Sequence, residues 1–387
     1  MAIVILKQGR DRAVRGGHPW IFSGAIARLN GEAAAGEVVE VHTAGGVSIG
    51  CGIWNAATSI AVRMLCHDAP NIDEGFVGRR IDTALGLRAL VRDCDTLRLV
   101  HGEGDGLPGL VVDRYGSYIV CQFLTAGADV MKGQVVEALV RALAPDGILE
   151  RSEGNVRKAE GLAPSTGMLH GDPPPSEVEV VEHGRRYLVD LHRGQKTGLF
   201  LDQRPNRDLV SELAEGRRVL NLFAYTGGFA IAAAQGGATF VNSVESSAPA
   251  LALADASWER NGFDATRGTF TRGDVFEYLR GTIEAPELVV IDPPPFARRR
   301  VDQRRALAGY KEVNLRALAA CAPGALVLTF SCSQHTSVGD FEGVVAAAAG
   351  DAGRRVSILR RLGPGLDHPQ AIAHTEGRYL KGLLLRV

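Results

Sequence analysis

The chain has 387 residues, 45% of them apolar and 22% charged, with a formal charge of −1 at pH 7. That length exceeds what one hydrophobic core usually organises, and so ordinary a composition excludes a disordered or fibrous protein. The near-zero charge excludes a global pull on nucleic acid, so a polyanion would have to be met by local clusters of Lys and Arg.

The apolar run 3–6 is too short for a signal-peptide core or a membrane span, so a cytoplasmic protein with no membrane partner is expected. Lys7, Arg10, Arg12 and Arg15 follow it, opposed only by Asp11. Short strands at 3–6, 37–42, 47–54 and 60–65, separated by Gly-rich turns, predict a small all-β unit over 1–70. Residues 68–71 break that pattern. Phe76, Ile81, Leu85 and Leu87 then give 74–91 the spacing of a helix and open a second α/β domain, expected over 71–175. Within it 97–100, 110–112 and 118–124 read as strands and 130–143 as a helix. The run Gly171, Asp172, Pro173, Pro174, Pro175, Ser176 is the clearest linker signal in the chain. The six cysteines include no C-x-x-C pair, which argues against a zinc ribbon, a redox site or a disulfide framework, and no metal ligand set is expected.

Over 176–387 the rhythm becomes strand, turn, helix. It runs 218–223 then 228–235, 239–245 then 248–261, 269–273 then 275–280, 288–291 then 303–321, and 325–330 then 338–349. Strands alternating with helices imply right-handed crossovers and a parallel sheet, hence an α/β, Rossmann-like domain. The closing run 381–387 is expected to be an antiparallel strand at or near an edge.

Ligands of such sheets bind beyond the carboxyl ends of the strands. The first strand delivers Phe223, Ala224, Tyr225, Thr226, Gly227, Gly228 and Phe229, whose glycines allow a tight turn against a ligand at a helix N-terminus. The second ends in Glu245, about 20 residues on, where a carboxylate would hold a ribose diol. The third ends in Asp274 and Val275, placed to meet an adenine. A nicotinamide enzyme would also carry the second-strand carboxylate but favours G-x-G-x-x-G, which is absent here, so S-adenosylmethionine is the preferred cofactor.

The fourth strand delivers Asp292, Pro293, Pro294, Pro295 and Phe296, too constrained a run for a casual loop. Alone, an Asp-Pro-Pro-aromatic tip suggests methylation of an exocyclic nitrogen of a nucleic-acid base, with Asp292 and Pro293 beside the methyl donor. The fifth strand ends in Ser331, Cys332, Ser333, which puts a thiol at the neighbouring tip. Nitrogen methylation needs no thiol. Carbon 5 of cytosine does, because a thiolate adding at carbon 6 makes carbon 5 nucleophilic. A free cysteine is more often a small packed residue, but its place at a strand tip favours the nucleophile. A lowered thiol pKa is then expected. Arg298, Arg299, Arg300, Arg304 and Arg305 follow the Asp292 tip, where an RNA backbone would pass.

At these residues the sequence resembles the RlmI-type family of bacterial 23S ribosomal RNA cytosine-C5 methyltransferases, which carry an N-terminal PUA domain. The resemblance spans nearly the whole chain and rests on separate blocks in order: 17–22 (GHPWIF), 103–109 (EGDGLPG), 195–204 (QKTGLFLDQR), 225–229, 329–333 and 379–382 (YLKG). It implies an RNA-binding first domain, a central family-specific domain, and a catalytic domain acting on large-subunit ribosomal RNA, with a homodimer allowed. It implies Cys332 as nucleophile, Asp292 orienting the cytosine, and Gln203 against the cofactor, with Lys196 a weaker contact. Pro295 stands where the family commonly has Lys, and the second cysteine of related two-cysteine enzymes is missing, so no residue is assigned to remove the carbon 5 proton. Trp20 and Phe22 could stack on bases, although aromatics of small β domains are more often core. N-methylation of a base amino group, and a non-catalytic rRNA-binding assembly factor, are the competing functions.

Overall fold

The computed structural model of the chain describes residues 1–67, 72–296 and 302–387. They fall into two compact units, 1–178 with 366–377, and 179–365 with 378–387.

The first unit opens with β1 (Ile3–Leu6), α1 (Arg12–Arg15), β2 (Trp20–Phe22), β3 (Ile26–Asn30), β4 (Val38–His42), β5 (Ser48–Trp54) and β6 (Ile60–Cys66). These strands form a six-stranded sheet, β2-β6-β5-β4-β1-β3, antiparallel except between β1 and β4. Alternate residues of β1 and β4 point inward, Val4 and Leu6 against Val39 and Val41. β2 and β3 have too few alternating apolar positions to be read from sequence.

There follow α2 (Phe76–Arg88), β7 (Thr96–His101), β8 (Leu110–Tyr115), β9 (Tyr118–Phe123), α3 (Ala126–Val130), α4 (Lys132–Leu143), β10 (Gly147–Ser152), α5 (Asn155–Ala159) and β11 (Ser165–Gly171). Their five-stranded sheet, β11-β10-β9-β8-β7, buries Leu97, Leu99 and Val112 with Ile81 of α2 and Leu139 of α4. The helix expected over 130–143 is interrupted at Met131. Ile53 and Leu65 of the first sheet join this core, and Arg63 bridges Glu103 and Glu160 at 3.0 Å each, which is why the two sheets make one unit. Residues 366–377 also pack here. Asp367 accepts the Arg98 amide at 3.0 Å and its carbonyl accepts from Arg88 at 3.0 Å.

The second unit contains β12 (Val178–Glu182), β13 (Arg185–Val189), α6 (Arg204–Leu213), β14 (Arg218–Leu222), α7 (Gly228–Gln235), β15 (Phe240–Glu245) and α8 (Ala248–Arg260). It continues with β16 (Gly268–Arg272), α9 (Val275–Tyr278), β17 (Leu288–Ile291), α10 (Gln303–Ala320), β18 (Leu326–Ser331), α11 (Val338–Asp351), β19 (Ser357–Leu362) and β20 (Lys381–Arg386). Seven strands form one sheet, β16-β15-β14-β17-β18-β20-β19. The strands from β14 to β18 pair in parallel, and β20 runs antiparallel to both β18 and β19. All four residues of β17 are buried, the mark of a strand covered on both faces. The winding reverses between β14 and β17, and a crevice opens at the carboxyl ends beside that point. The closing strand sits one place in from the edge. The edge strand itself, β19, is almost wholly exposed and lacks the alternation that would reveal it. No described helix is long and apolar enough to cross a membrane.

Beneath the crevice Glu182 of β12 is fully buried and meets Arg185 of β13 at 3.2 Å, and Arg204 and Arg207 of α6. Burial pushes its carboxyl up, but the attraction of Arg207, then of Arg204 and Arg185, outweighs this and holds it below the ordinary glutamate value. Removing one partner of such a network strands buried charge. Glu182→Ala is therefore expected to destabilise the second unit by about 3–5 kcal/mol, read as a lower urea midpoint.

Candidate active site

β14 ends at Leu222 and releases the loop 223–229 into the crevice. Phe223 and Tyr225 adopt left-handed backbone conformations, φ +59° and +47°, which cost energy for residues with a side chain. Hydrogen bonds enforce them. Ala224 donates its amide to the Val244 carbonyl at 3.1 Å and Tyr225 donates its amide to Glu245 at 2.9 Å. Gly227 has φ +76°, and a Cβ there would lie 2.9 Å from that of Ala254, so α8 packs too closely for any other residue. Ala224, Thr226 and Phe229 are buried and Gly228 begins α7. Glu245, half-buried at the tip of β15, also accepts the Ser247 amide at 2.9 Å. It braces the loop while presenting its carboxylate at the strand end.

Asp274 caps α9, its Oδ1 accepting the Glu277 amide at 3.0 Å, and Val275 is buried behind it. The helix-cap role is the one visible for that oxygen. Phe223, Phe276 and Phe296 stand with ring centroids 5.9 to 6.3 Å apart and form an apolar wall between the first, third and fourth strand tips. Phe276 and the wall escaped the sequence reading, because three scattered aromatics carry no pattern until the strands are stacked.

The tips of β17 and β18 meet. Pro293 is buried, Pro294 and Pro295 are exposed, and the Cys332 thiol lies 3.8 Å from the Pro293 carbonyl. Parallel pairing of Ile291 with Thr329 sets this register, which brings Asp292 and Cys332 into one pocket of charge. The segment 195–204 closes the other side. The Tyr225 hydroxyl accepts the Gln195 amide at 2.8 Å and donates to the Gly198 carbonyl at 2.9 Å, stapling that segment to the loop. Lys196 reaches Asp202 at 3.1 Å and the Tyr379 hydroxyl donates to Asp202 at 2.7 Å. Gln203 is buried and hydrogen-bonds Asp292, while accepting from Asn206 at 2.6 Å.

Enclosure, and then the negative charge of Asp202, push the Asp292 carboxyl up to about 7 against the pull of Lys196. Enclosure, and then Asp292, push the Cys332 thiol up to about 12. The lowered thiol pKa expected from sequence is thus reversed in the protein alone. Two neighbouring carboxylates oppose the thiolate, and Lys196, which favours it, is bonded to Asp202.

Of the arginines after the Asp292 tip, Arg304 and Arg305 are exposed at the start of α10, and Arg298, Arg299 and Arg300 lie outside the described residues. At the N-terminus Lys7 donates to the Gly24 carbonyl and Arg15 pairs with Asp11 at 2.8 Å. Arg10 and Arg12 are exposed and line an open groove of about 800 Å³ with His18, Trp20 and Phe22. Trp20 is half-buried, its indole donating to Glu103 at 2.8 Å, whereas Phe22 is 44% exposed, so neither is an ordinary core aromatic.

The donors fit S-adenosylmethionine. Glu245 suits a ribose diol, the Phe223–Phe276–Phe296 wall suits a purine, and the crowded Asp202 and Asp292 suit a sulfonium cation. A cation favours ionised Asp292, so cofactor affinity is expected to rise roughly tenfold between about pH 6 and 8. Calorimetric titration of the wild-type chain would show this rise, Asp292→Asn would flatten it, and the uncharged demethylated cofactor would show little of it.

An S-adenosylmethionine-dependent methyltransferase family model matches residues 161–366, and a PUA-like domain model matches residues 4–67. The chain is 40% identical over 391 aligned residues to ribosomal RNA large subunit methyltransferase I of Erwinia tasmaniensis, covering 99% of both chains. It is 41% identical to the protein of that name from Aliivibrio fischeri, again covering 99% of both. A solved chain complexed with SAH shares the fold with a TM-score of 0.87 at 22% identity, covering 100% of both chains. A second, from Streptococcus mutans, gives 0.86 at 22% with the same coverage. The crevice geometry and these relatives agree: the chain belongs to the ribosomal RNA large subunit methyltransferase I family, with an N-terminal PUA-like domain and S-adenosylmethionine as its cofactor.

Proposed function

We propose that the chain methylates carbon 5 of a cytosine in large-subunit ribosomal RNA through a transient bond between Cys332 and carbon 6. The observation that carries this reading is the Cys332 thiol 3.8 Å from the Pro293 carbonyl, at the strand tip adjoining Asp292. The names of the relatives supply the RNA class.

Bound in the crevice, the cofactor supplies an electrophilic methyl group. Cys332, once ionised, adds its electron pair to carbon 6, and the carbon 5–carbon 6 π pair moves to carbon 5, which would take the methyl group as its bond to the cofactor's sulfur breaks, leaving the neutral demethylated cofactor. Asp292 hydrogen-bonds the polar edge of the ring and fixes its orientation. Loss of the carbon 5 proton to solvent restores the double bond and expels Cys332 as thiolate. Gln203, buried against Asp292, holds that carboxyl in place, and the 195–204 segment keeps water from it. The target base has to leave any helical stack to reach Cys332, which favours a loop or an unfolded rRNA segment.

A second reading, methylation of a base amino group, draws on the Cys332 thiol being held up near 12 and on the Asp-Pro-Pro tip. RNA tritiated at cytosine carbon 5 separates the two. Carbon methylation releases tritium to water, and Cys332→Ala abolishes release and methylation together by roughly a thousandfold or more. Methyl transfer without tritium release, or full activity in Cys332→Ala, would refute the carbon reading. Incubation with radiolabelled cofactor and unmodified rRNA tests the remaining possibility of a non-catalytic binding factor.

The groove around Phe22 gives the RNA a second foothold. Phe22→Ala is expected to weaken rRNA binding by about 1–3 kcal/mol if the ring stacks on a base. Replacing Arg10 and Arg12 by Ala should flatten the salt dependence of binding by about one to two phosphate contacts, read by filter binding across a salt series.

A further inference from the structure

Lys381 opens β20 directly opposite Ser331, the residue that precedes Cys332. Its side chain is buried, 6% exposed, and its ammonium donates to the Ser333 carbonyl at 2.6 Å. The contact crosses 48 residues of sequence and grips the turn that presents Cys332. Among the described residues Lys381 has no carboxylate partner. A buried ammonium without a counter-ion is costly, so its place beside the Cys332 turn points to an anion that forms there during function.

The surroundings of Cys332 say which anion. Asp292 at the tip of β17 and Asp202 ahead of α6 both oppose a thiolate. Lys196 favours it but is bonded to Asp202, and the Tyr379 hydroxyl is also committed to Asp202. Tyr310 of α10 is uncharged and feels the Cys332 charge. Lys381 is the cation on the β20 side, and ionisation of Cys332 strengthens its hold on its proton. Burial otherwise pulls the lysine down to about 8, so it is charged near neutrality and gains from an anionic neighbour.

We propose that Lys381 is the positioning residue of the Cys332 nucleophile, fixing the 331–333 turn through the Ser333 carbonyl and supplying the unneutralised positive charge beside which the thiolate forms. The thiol proton leaves to solvent, Lys381 keeps its own, and no covalent bond to the lysine is made. The inference rests on the reading of Cys332 as nucleophile.

The test is the pH dependence of Cys332 alkylation by iodoacetamide in the full chain, read by mass spectrometry of the Cys332 peptide. Lys381→Gln keeps a donor to the Ser333 carbonyl but drops the charge. It is expected to slow alkylation at pH 8 about tenfold and to move the profile up by about one pH unit. Lys381→Arg keeps the charge and is expected to follow the wild type. A wild-type profile in Lys381→Gln overturns the proposal, as does an equal shift in Lys381→Arg. Should Lys381→Gln fail to fold, Lys381→Arg decides alone, supporting the proposal with a wild-type profile and overturning it with an upward shift of a unit. Alkylation reads the thiol and not methyl transfer. Failure of the nucleophile reading would instead appear as methylation surviving in Cys332→Ala, whatever the alkylation profile.

Discussion

Glu182 is an ionised group without solvent, and guanidinium groups from β13 and α6 converge on it. Each of those arginines would be as costly alone as the carboxylate, so the cluster forms whole or not at all. Arg207 carries the constraint outward by donating to the Phe200 carbonyl at 2.8 Å, and its side chain lies under Gly228, where a Cβ would approach within 3.2 Å. The 195–204 segment and the 223–229 loop are thereby held to one anchor. Asp202 and Gln203 reach Asp292 only because that anchor fixes α6 against the β12–β13 ribbon.

The crevice so assembled is electrostatically unbalanced. Asp202 and Asp292 oppose each other's ionisation and jointly oppose a thiolate at Cys332. Such tension costs stability and is characteristic of a site built for a charged visitor. A cation entering beside the two carboxylates relieves their repulsion and at the same stroke lowers the cost of ionising Cys332. Under the proposed mechanism, occupancy of the crevice raises the thiolate share of Cys332, which burial and Asp292 otherwise hold down.

Much of this was legible in the order of residues, for local reasons. The central parallel strands carry apolar runs, 288–291 in β17 and 326–328 in β18, and the tips are marked by their own neighbours: glycines at 227 and 228, three prolines after Asp292, serines around Cys332. The sheet and its tips follow from such signals. What escaped depends on distant partners. The sign of the Cys332 shift is set first by the depth of the crevice and then by Asp292, with Asp202, 130 positions earlier in the chain, adding to it, and no spacing rule connects these residues. Lys381 reads as an ordinary strand lysine until β20 is threaded beside β18. β19 hid because an exposed edge has no apolar alternation, and Asp367 because its partners Arg88 and Arg98 stand 279 and 269 positions earlier in the chain.

The path of the chain after β19 has a consequence for how the protein can be made. Residues 366–377 belong with the first unit, while the residues on either side of them belong with the second. The strand that follows this excursion, β20, does not extend the sheet but slots between β18 and β19. During synthesis the seven-stranded sheet therefore keeps a gap until residues 381–386 have emerged. Gene truncation at residue 178 cannot yield two self-sufficient halves, since the upstream half loses Asp367 and the downstream half carries a segment with nowhere to fold. The architecture is a two-unit protein that biosynthesis has to finish as one.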